Sequence, residues 1–274
     1  MQFGKRHFIW LPLAFTVLWA GVPMLWALSA SFKSPLEVYA VPPTVLPTDP
    51  TAEHYVRLLG DEAFWVFMRN SLVLSVFSTV LAVAVATMAA YGFARYAFKW
   101  RHFLLIFILV PRLVPRVSLI VPIYQMAQGL GLTNSYFALI IVYTGTAIPL
   151  ATWIMVGFIA AIPKDLEEAG RVDGASTWQV FRKLVLPLAV PGLLTIAVLT
   201  FREGWNEFPF ILALTTSADL RTLPYQLFLL LDSAGIQNWP LVQAFTVLSI
   251  LPIILVYLRF EKYVVSGLTQ GAVK

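Results

Sequence analysis

The chain contains no cysteine. Disulfides, thiolate nucleophiles and cysteine-ligated metals are excluded, although compartment cannot be read from that absence. Histidine is scarce too. His7, His54 and His102 stand far apart, with no H-E-x-x-H pair and no ligand cluster. No G-x-x-x-x-G-K-[ST] run occurs, so the chain has no phosphate loop with which to hydrolyse ATP. No Gly-flanked serine has plausible His and Asp partners. Charge is the last thing in short supply. Only 12% of residues are charged, against about 25% in a typical globular domain.

What fills the space is apolar sequence. Hydrophobic residues make up 59% of the chain and mean hydropathy is +0.79. Six long apolar stretches run over about 8–30, 69–93, 103–124, 136–159, 188–214 and 240–258. About 20 helical residues at about 1.5 Å each cross a hydrocarbon core of roughly 30 Å. The expected fold is all-α, a polytopic membrane protein with six transmembrane helices in one domain spanning 1–274. The first stretch could pass for a signal peptide, with Ala27-Leu28-Ser29 at a cleavage-like position. It is longer than an h-region of roughly 7–15 residues, so it is read as a span. Ala82, Ala86 and Ala90 give the second span a small-residue face, suited to packing within the chain or against a partner.

The net charge of +5 does not indicate nucleic acid, because the basic residues are segregated by loop. Lys5, Arg6, Arg95, Lys99, Arg101, Lys164, Arg171, Arg182, Lys183, Arg259, Lys262 and Lys274 fall on one side. Lys33, Arg57, Arg69 and Arg221 fall on or near the other. The positive-inside rule then places both termini and the 163–187 loop in the cytoplasm.

That loop is the longest polar interval between two long apolar segments near the middle of the chain. Pro163 suits a first helical turn. Asp165, Glu167 and Glu168 sit near the positive end of that helix. Asp173-Gly174 marks a turn, and Ser176 with Gln179 has capping-box spacing for a second helix. Arg182 and Lys183 lead to the prolines at 187 and 191. An ordinary amphipathic loop helix would also fit.

The spacing resembles the EAA loop of ABC-importer permeases. Glu168-Ala169-Gly170, three residues, Gly174, nine residues, Leu184, then Leu186-Pro187 follows the family pattern, with Gly170 for an Ala and Leu184 for an Ile. Further matches are Asn70-Ser71-Leu72, Ala89 to Arg95, Val121-Pro122-Ile123-Tyr124, Gly131 to Ser135, Trp205-Asn206-Glu207-Phe208, Leu223-Pro224 and the tail from Gly267. Taken in order, they resemble the second permease of carbohydrate importers of the maltose and glycerol-3-phosphate type. The resemblance implies a bacterial or archaeal cytoplasmic-membrane protein that is not itself an enzyme. It would carry a sugar or sugar derivative beside a second homologous permease, two ATPase subunits and an extracytoplasmic substrate-binding protein. This chain would bind no cofactor, ATP and Mg belonging to the ATPases. The 163–187 loop would be a cytoplasmic coupling helix, with Glu167, Glu168, Ala169, Gly170, Asp173, Gly174, Leu184, Leu186 and Pro187 as its working residues. The loop before the last span, including Leu223, Pro224, Tyr225 and Asp232, would meet the binding protein. A short helix lying on lipid is the alternative for that loop. The tail from Ser266 would contact the ATPases.

Charges inside spans are costly and usually mark pathways. Arg112, Arg116, Arg202, Glu203, Asn206 and Glu207 are therefore candidates for the substrate path. The i, i+4 spacings Arg112/Arg116 and Glu203/Glu207 put each pair on one helix face. Three arginines against two glutamates would suit an acidic sugar, whereas plain ion pairing between spans is the structural alternative. The same charges could serve an ion- or proton-coupled secondary transporter, but such a protein has no need of an ATPase dock.

Overall fold

A computed structural model describes residues 3–234 and 238–270. Those residues contain helices and no strand. In chain order the helices are α1 (Phe3–Ser31), α2 (Pro35–Val38), α3 (Glu53–Leu59), α4 (Glu62–Arg95), α5 (Arg101–Leu109), α6 (Arg116–Gly129), α7 (Tyr136–Ala161), α8 (Lys164–Val172), α9 (Thr177–Val180), α10 (Leu186–Leu188), α11 (Val190–Trp205), α12 (Pro209–Leu214), α13 (Leu223–Ala234) and α14 (Trp239–Gln270). Residues 271–274, the end of the expected ATPase-contacting tail, lie outside the described residues, as do 235–237 of the outer loop.

Four helices contain unbroken segments long and apolar enough to span: Pro12–Ser31, Glu62–Arg95, Tyr136–Ala161 and Trp239–Tyr263. The third and fifth expected spans are not single helices. The third bends by 95° between Arg101–Leu113 and Arg116–Gly129, and the fifth by 74° between Thr177–Leu188 and Val190–Trp205. Proline explains the first break. Pro111 opens a 3₁₀ turn over Val110–Leu113 and Pro115 stands at the N-cap of α6, positions where proline's missing N–H and fixed φ interrupt a helix. The second break falls at Ala189, after a π-helical Phe181–Val185.

The chain divides into two compact units, residues 1–65 with 226–252, and residues 66–225 with 253–274. In the first, the proline-rich segment after α1 is tied down by polar contacts. Ser31 Oγ and Tyr55 Oη are 2.7 Å apart, and Thr51 N donates to Phe32 O at 2.8 Å. Glu37 accepts from Thr44 Oγ1 and Thr48 N. Those two bonds, led by the Thr48 N–H, hold the Glu37 carboxyl below its ordinary pKa.

The second unit is built on α4 and α7. Ala82, Ala86 and Ala90 are fully buried, which assigns the small-residue face of α4 to packing within this chain. Leu139, Tyr143, Ala147, Ala151, Met155 and Ile159 recur every four residues as the buried stripe of α7. The stripe joins two cores. One gathers Ala86, Ala90, Met155, Ile159, Phe181 and Ile196. The other gathers Leu74, Leu139, Tyr143, Phe210 and Ile211. In lipid there is little hydrophobic drive between helices, so close approach of small residues carries such contacts.

Candidate functional site

Three polar constellations are strung along the second unit. Asn70 and Arg95 lie 25 residues apart on α4, about 37 Å at 1.5 Å per residue. They therefore mark opposite ends of a membrane-length helix.

At the Arg95 end, α8 is held from inside. Glu167 is buried, accepts 2.9 Å from Tyr91 Oη, and pairs with Arg95 Nε. Arg95 Nη2 donates to Ile162 O at 2.9 Å. The other face of the loop is open. Asp165, Glu168, Ala169, Asp173 and Pro187 are exposed, as are Leu166, Val172 and Trp178, while Leu186 is half-buried. Glu168 makes no hydrogen bond or ion pair among the described residues. Pro163 stands at the N-cap of α8, one residue before the first turn. Asp173 is the C-cap, and Gly174 takes φ +83, a left-handed conformation that favours glycine. Ser176 and Gln179 form the expected capping box. The two departures from the loop pattern face one another. A Cβ on Gly170 would stand 2.8 Å from Leu184 Cδ1.

In the middle, where the helices break, Arg112 grips Glu203 with two bonds of 3.0 and 2.7 Å. Arg116 reaches the same carboxylate at 3.4 Å, and Arg112 also donates to Thr146 O at 3.3 Å. The shared helix faces inferred from spacing do not occur. Arg112 lies in the 3₁₀ turn and Arg116 begins α6. Glu203 lies in the last turn of α11, whereas Glu207 lies beyond its C-cap and is buried, accepting from Phe210 N and Ile211 N at the start of α12. Pro111, Pro115 and the cap at Asn206 broke the helical register that the spacing assumed. Arg202 and Asn206 are exposed, and neither joins the cluster.

At the Asn70 end, residues 215–223 are latched. Asn70 Nδ2 donates to Asp219 O and Arg221 O at 2.7 and 2.8 Å, and its Oδ1 accepts from Tyr136 Oη at 2.5 Å. Ser71 Oγ accepts from Leu223 N at 2.9 Å. Asn134, with φ 58, accepts from Thr216 N and Ser217 N. The latch fixes the start of α13. Leu223 is buried there, Pro224 and Tyr225 are half-buried, and Asp232 is exposed towards the helix end. Site reasoning from sequence missed the roles of Tyr91, Arg95, Asn70, Ser71, Asn134 and Tyr136. The signal was present for all but Tyr136, since the other five belong to stretches that matched the family pattern and Tyr136 directly follows one, but spacing alone did not say which stretches meet.

Residues 82–270 match the family model described as the binding-protein-dependent transport system inner membrane component. The chain belongs to this family. Among curated relatives it is 35% identical over 252 residues to the sulfoquinovosyl glycerol transport system permease protein of Agrobacterium fabrum, covering 92% of this chain and 88% of that one. It is 35% identical over 254 residues to the trehalose/maltose transport system permease protein of Thermococcus litoralis, with coverage of 92% and 91%. A chain from the crystal structure of a bacterial ABC transporter that imports the acidic polysaccharide alginate superposes with a TM-score of 0.78 at 26% identity, covering 95% of this chain and 96% of that one. The protein is thus a multi-pass inner-membrane permease of an ABC importer, a translocation subunit rather than an enzyme. A self-contained ion-coupled carrier is not favoured.

Proposed function

We propose that this permease forms half of the translocation path for a sugar or sugar derivative and takes its power stroke through α8. The observation that carries the reading is the two-sided build of that helix. Glu167 locks one side to α4, so a push on α8 moves a membrane-length element rather than a floppy loop. The other side offers Leu166, Glu168 and Val172 to a partner, and α9 adds exposed Trp178. An ATPase subunit is the occupant, with Glu168 meeting polar or basic groups of its groove. Sugar as cargo rests on what the relatives carry, including alginate and trehalose or maltose.

In this reading the partners are a second homologous permease, two ATPase subunits holding ATP and Mg, and an extracytoplasmic binding protein. Both termini and α8 are cytoplasmic, as the basic residues favour. Exposed Phe228, Leu231 and Asp232 of α13 then lie on the outer side and meet the binding protein.

Gly174→Pro tests the coupling claim. A fixed φ near −65° cannot supply the turn. The variant should insert normally yet lose uptake and release or uncouple the ATPase. Normal transport by it would sink the coupling role. For α13, deleting 228–232 should reduce stimulation of ATPase activity by loaded binding protein. Unchanged stimulation would favour a helix lying on lipid.

A further inference from the structure

We propose that the Arg112–Glu203–Arg116 cluster is a carboxylate-exchange site, at which Glu203 stands in for the carboxylate of a uronate sugar. The proposal rests on the sugar-import reading and narrows it to a substrate class. Two guanidiniums share one carboxylate. Glu207 accepts from Phe210 N and Ile211 N and makes no hydrogen bond to either arginine, so it spends none of their donors. The grip is unequal. Arg112 spends both its bonds to Glu203 in a bidentate fork and adds Thr146 O. Arg116 makes one long bond of 3.4 Å. A guanidinium has five N–H donors, so most of those on Arg116 are unspent.

The site is also wet enough to be reached. The side chains of Arg112, Arg116 and Glu203 retain 29%, 34% and 20% exposure. The two arginines border a hollow of about 200 Å³ lined by Pro111, Arg112, Val114, Arg116, Thr146 and Pro149. α5 rises about 14 Å over its nine residues, which puts the bend near mid-bilayer. A guanidinium with unspent donors at that depth is costly unless it meets water or an anion, and discontinuous helices are where transporters build such sites.

A sugar carboxylate has the same atoms and fork geometry as Glu203, so it can take Arg116 without disturbing the bidentate pair. As the sugar leaves, Glu203 recaptures Arg116, and the site does not hold its cargo permanently. A neutral sugar lacks the group that competes with Glu203.

The test uses the complete purified importer without binding protein, titrated calorimetrically with an oligogalacturonate and with its methyl ester, in which a methyl group replaces each carboxylate charge. The acid should bind roughly tenfold tighter or better, as a charge-assisted contact implies. Arg116→Gln should erase the difference, and Arg116→Lys, which keeps the charge, should retain part of it. Glu203→Gln removes the competitor and should tighten the acid while leaving the ester unchanged. Equal binding of acid and ester by the unaltered importer overturns the proposal. So does an Arg116→Glu/Glu203→Arg exchange that keeps full acid preference, since the pair is then structural. ATP-driven uptake of neutral sugars alone would remove the uronate claim and leave the sugar reading intact. No ATP-driven uptake of any sugar would remove both.

Discussion

Glu167 and Glu203 are both carboxylates held by arginine, and the molecule treats them oppositely. The Arg95–Glu167 side chains are 5% and 4% exposed, and Tyr91 Oη and Ile162 O complete their hydrogen bonds. Arg112 and Glu203 are 29% and 20% exposed, carry a second arginine, and sit on interrupted helices. A dry, matched pair fixes the position of one element against another. A wet, mismatched cluster keeps unspent donors for something that comes and goes. Charge type is the same in both, and burial with hydrogen-bond completeness separates anchor from site.

The largest effect should come from breaking the anchor. Glu167→Ala leaves Arg95 buried and unpaired, a change that typically costs about 3–5 kcal/mol. The variant should melt markedly lower in detergent and fail to retain the ATPase. Next comes Asn70→Ala, which leaves Tyr136 Oη and the carbonyls of Asp219 and Arg221 without their partner. Each unsatisfied buried group costs about 1–3 kcal/mol. Hydrogen exchange should quicken within 215–223 but not in α8. Arg116→Gln should then cost less than about 1 kcal/mol in melting, as partly exposed pairs do. A melting loss as large as that of Glu167→Ala would erase the contrast between the two clusters.

Gly170 and Leu184 allow a finer test beside the anchor. Gly170→Ala gains roughly 0.5–1 kcal/mol of helix propensity but meets Leu184 Cδ1. A cycle with Leu184→Ile should show a favourable coupling of at least about 0.5 kcal/mol, and simple additivity would mean that the two positions vary independently. Smallest is Glu37, a half-buried carboxylate with no arginine beside it. Its folded pKa is depressed, so its contribution is present above the ordinary carboxylate range and is lost as pH falls through the lowered value. Protease nicking of 34–51 should rise only in that acidic window, and Glu37→Gln should remove the pH dependence.

Much of this was legible in residue order. Long apolar runs and sparse charge carried the all-α membrane fold, and Gly174 with the Ser176–Gln179 box carried the turn and second helix of the loop. What could not be read was which neighbour faces inward. Glu167 and Glu168 are adjacent and chemically alike, and only the approach of Tyr91 and Arg95, over 70 residues away in sequence, buries one and leaves the other open. Helix continuity was the other limit. Pro111, Pro115 and Ala189 lie in stretches apolar enough to span, so hydropathy ran through breaks of 95° and 74° that decide where Arg112, Arg116 and Glu203 meet.

The most direct measurement is ATPase recovery per permease on affinity capture, made in parallel for Glu167→Ala and Glu203→Gln. If Glu167 is the mechanical anchor and Glu203 the exchangeable surrogate, the first variant should lose the ATPase by roughly tenfold or more, as a deficit above about 1.4 kcal/mol requires. The second should retain it fully while its sugar binding changes. Equal recovery from both, or loss confined to Glu203→Gln, would contradict the division of labour between the two carboxylates.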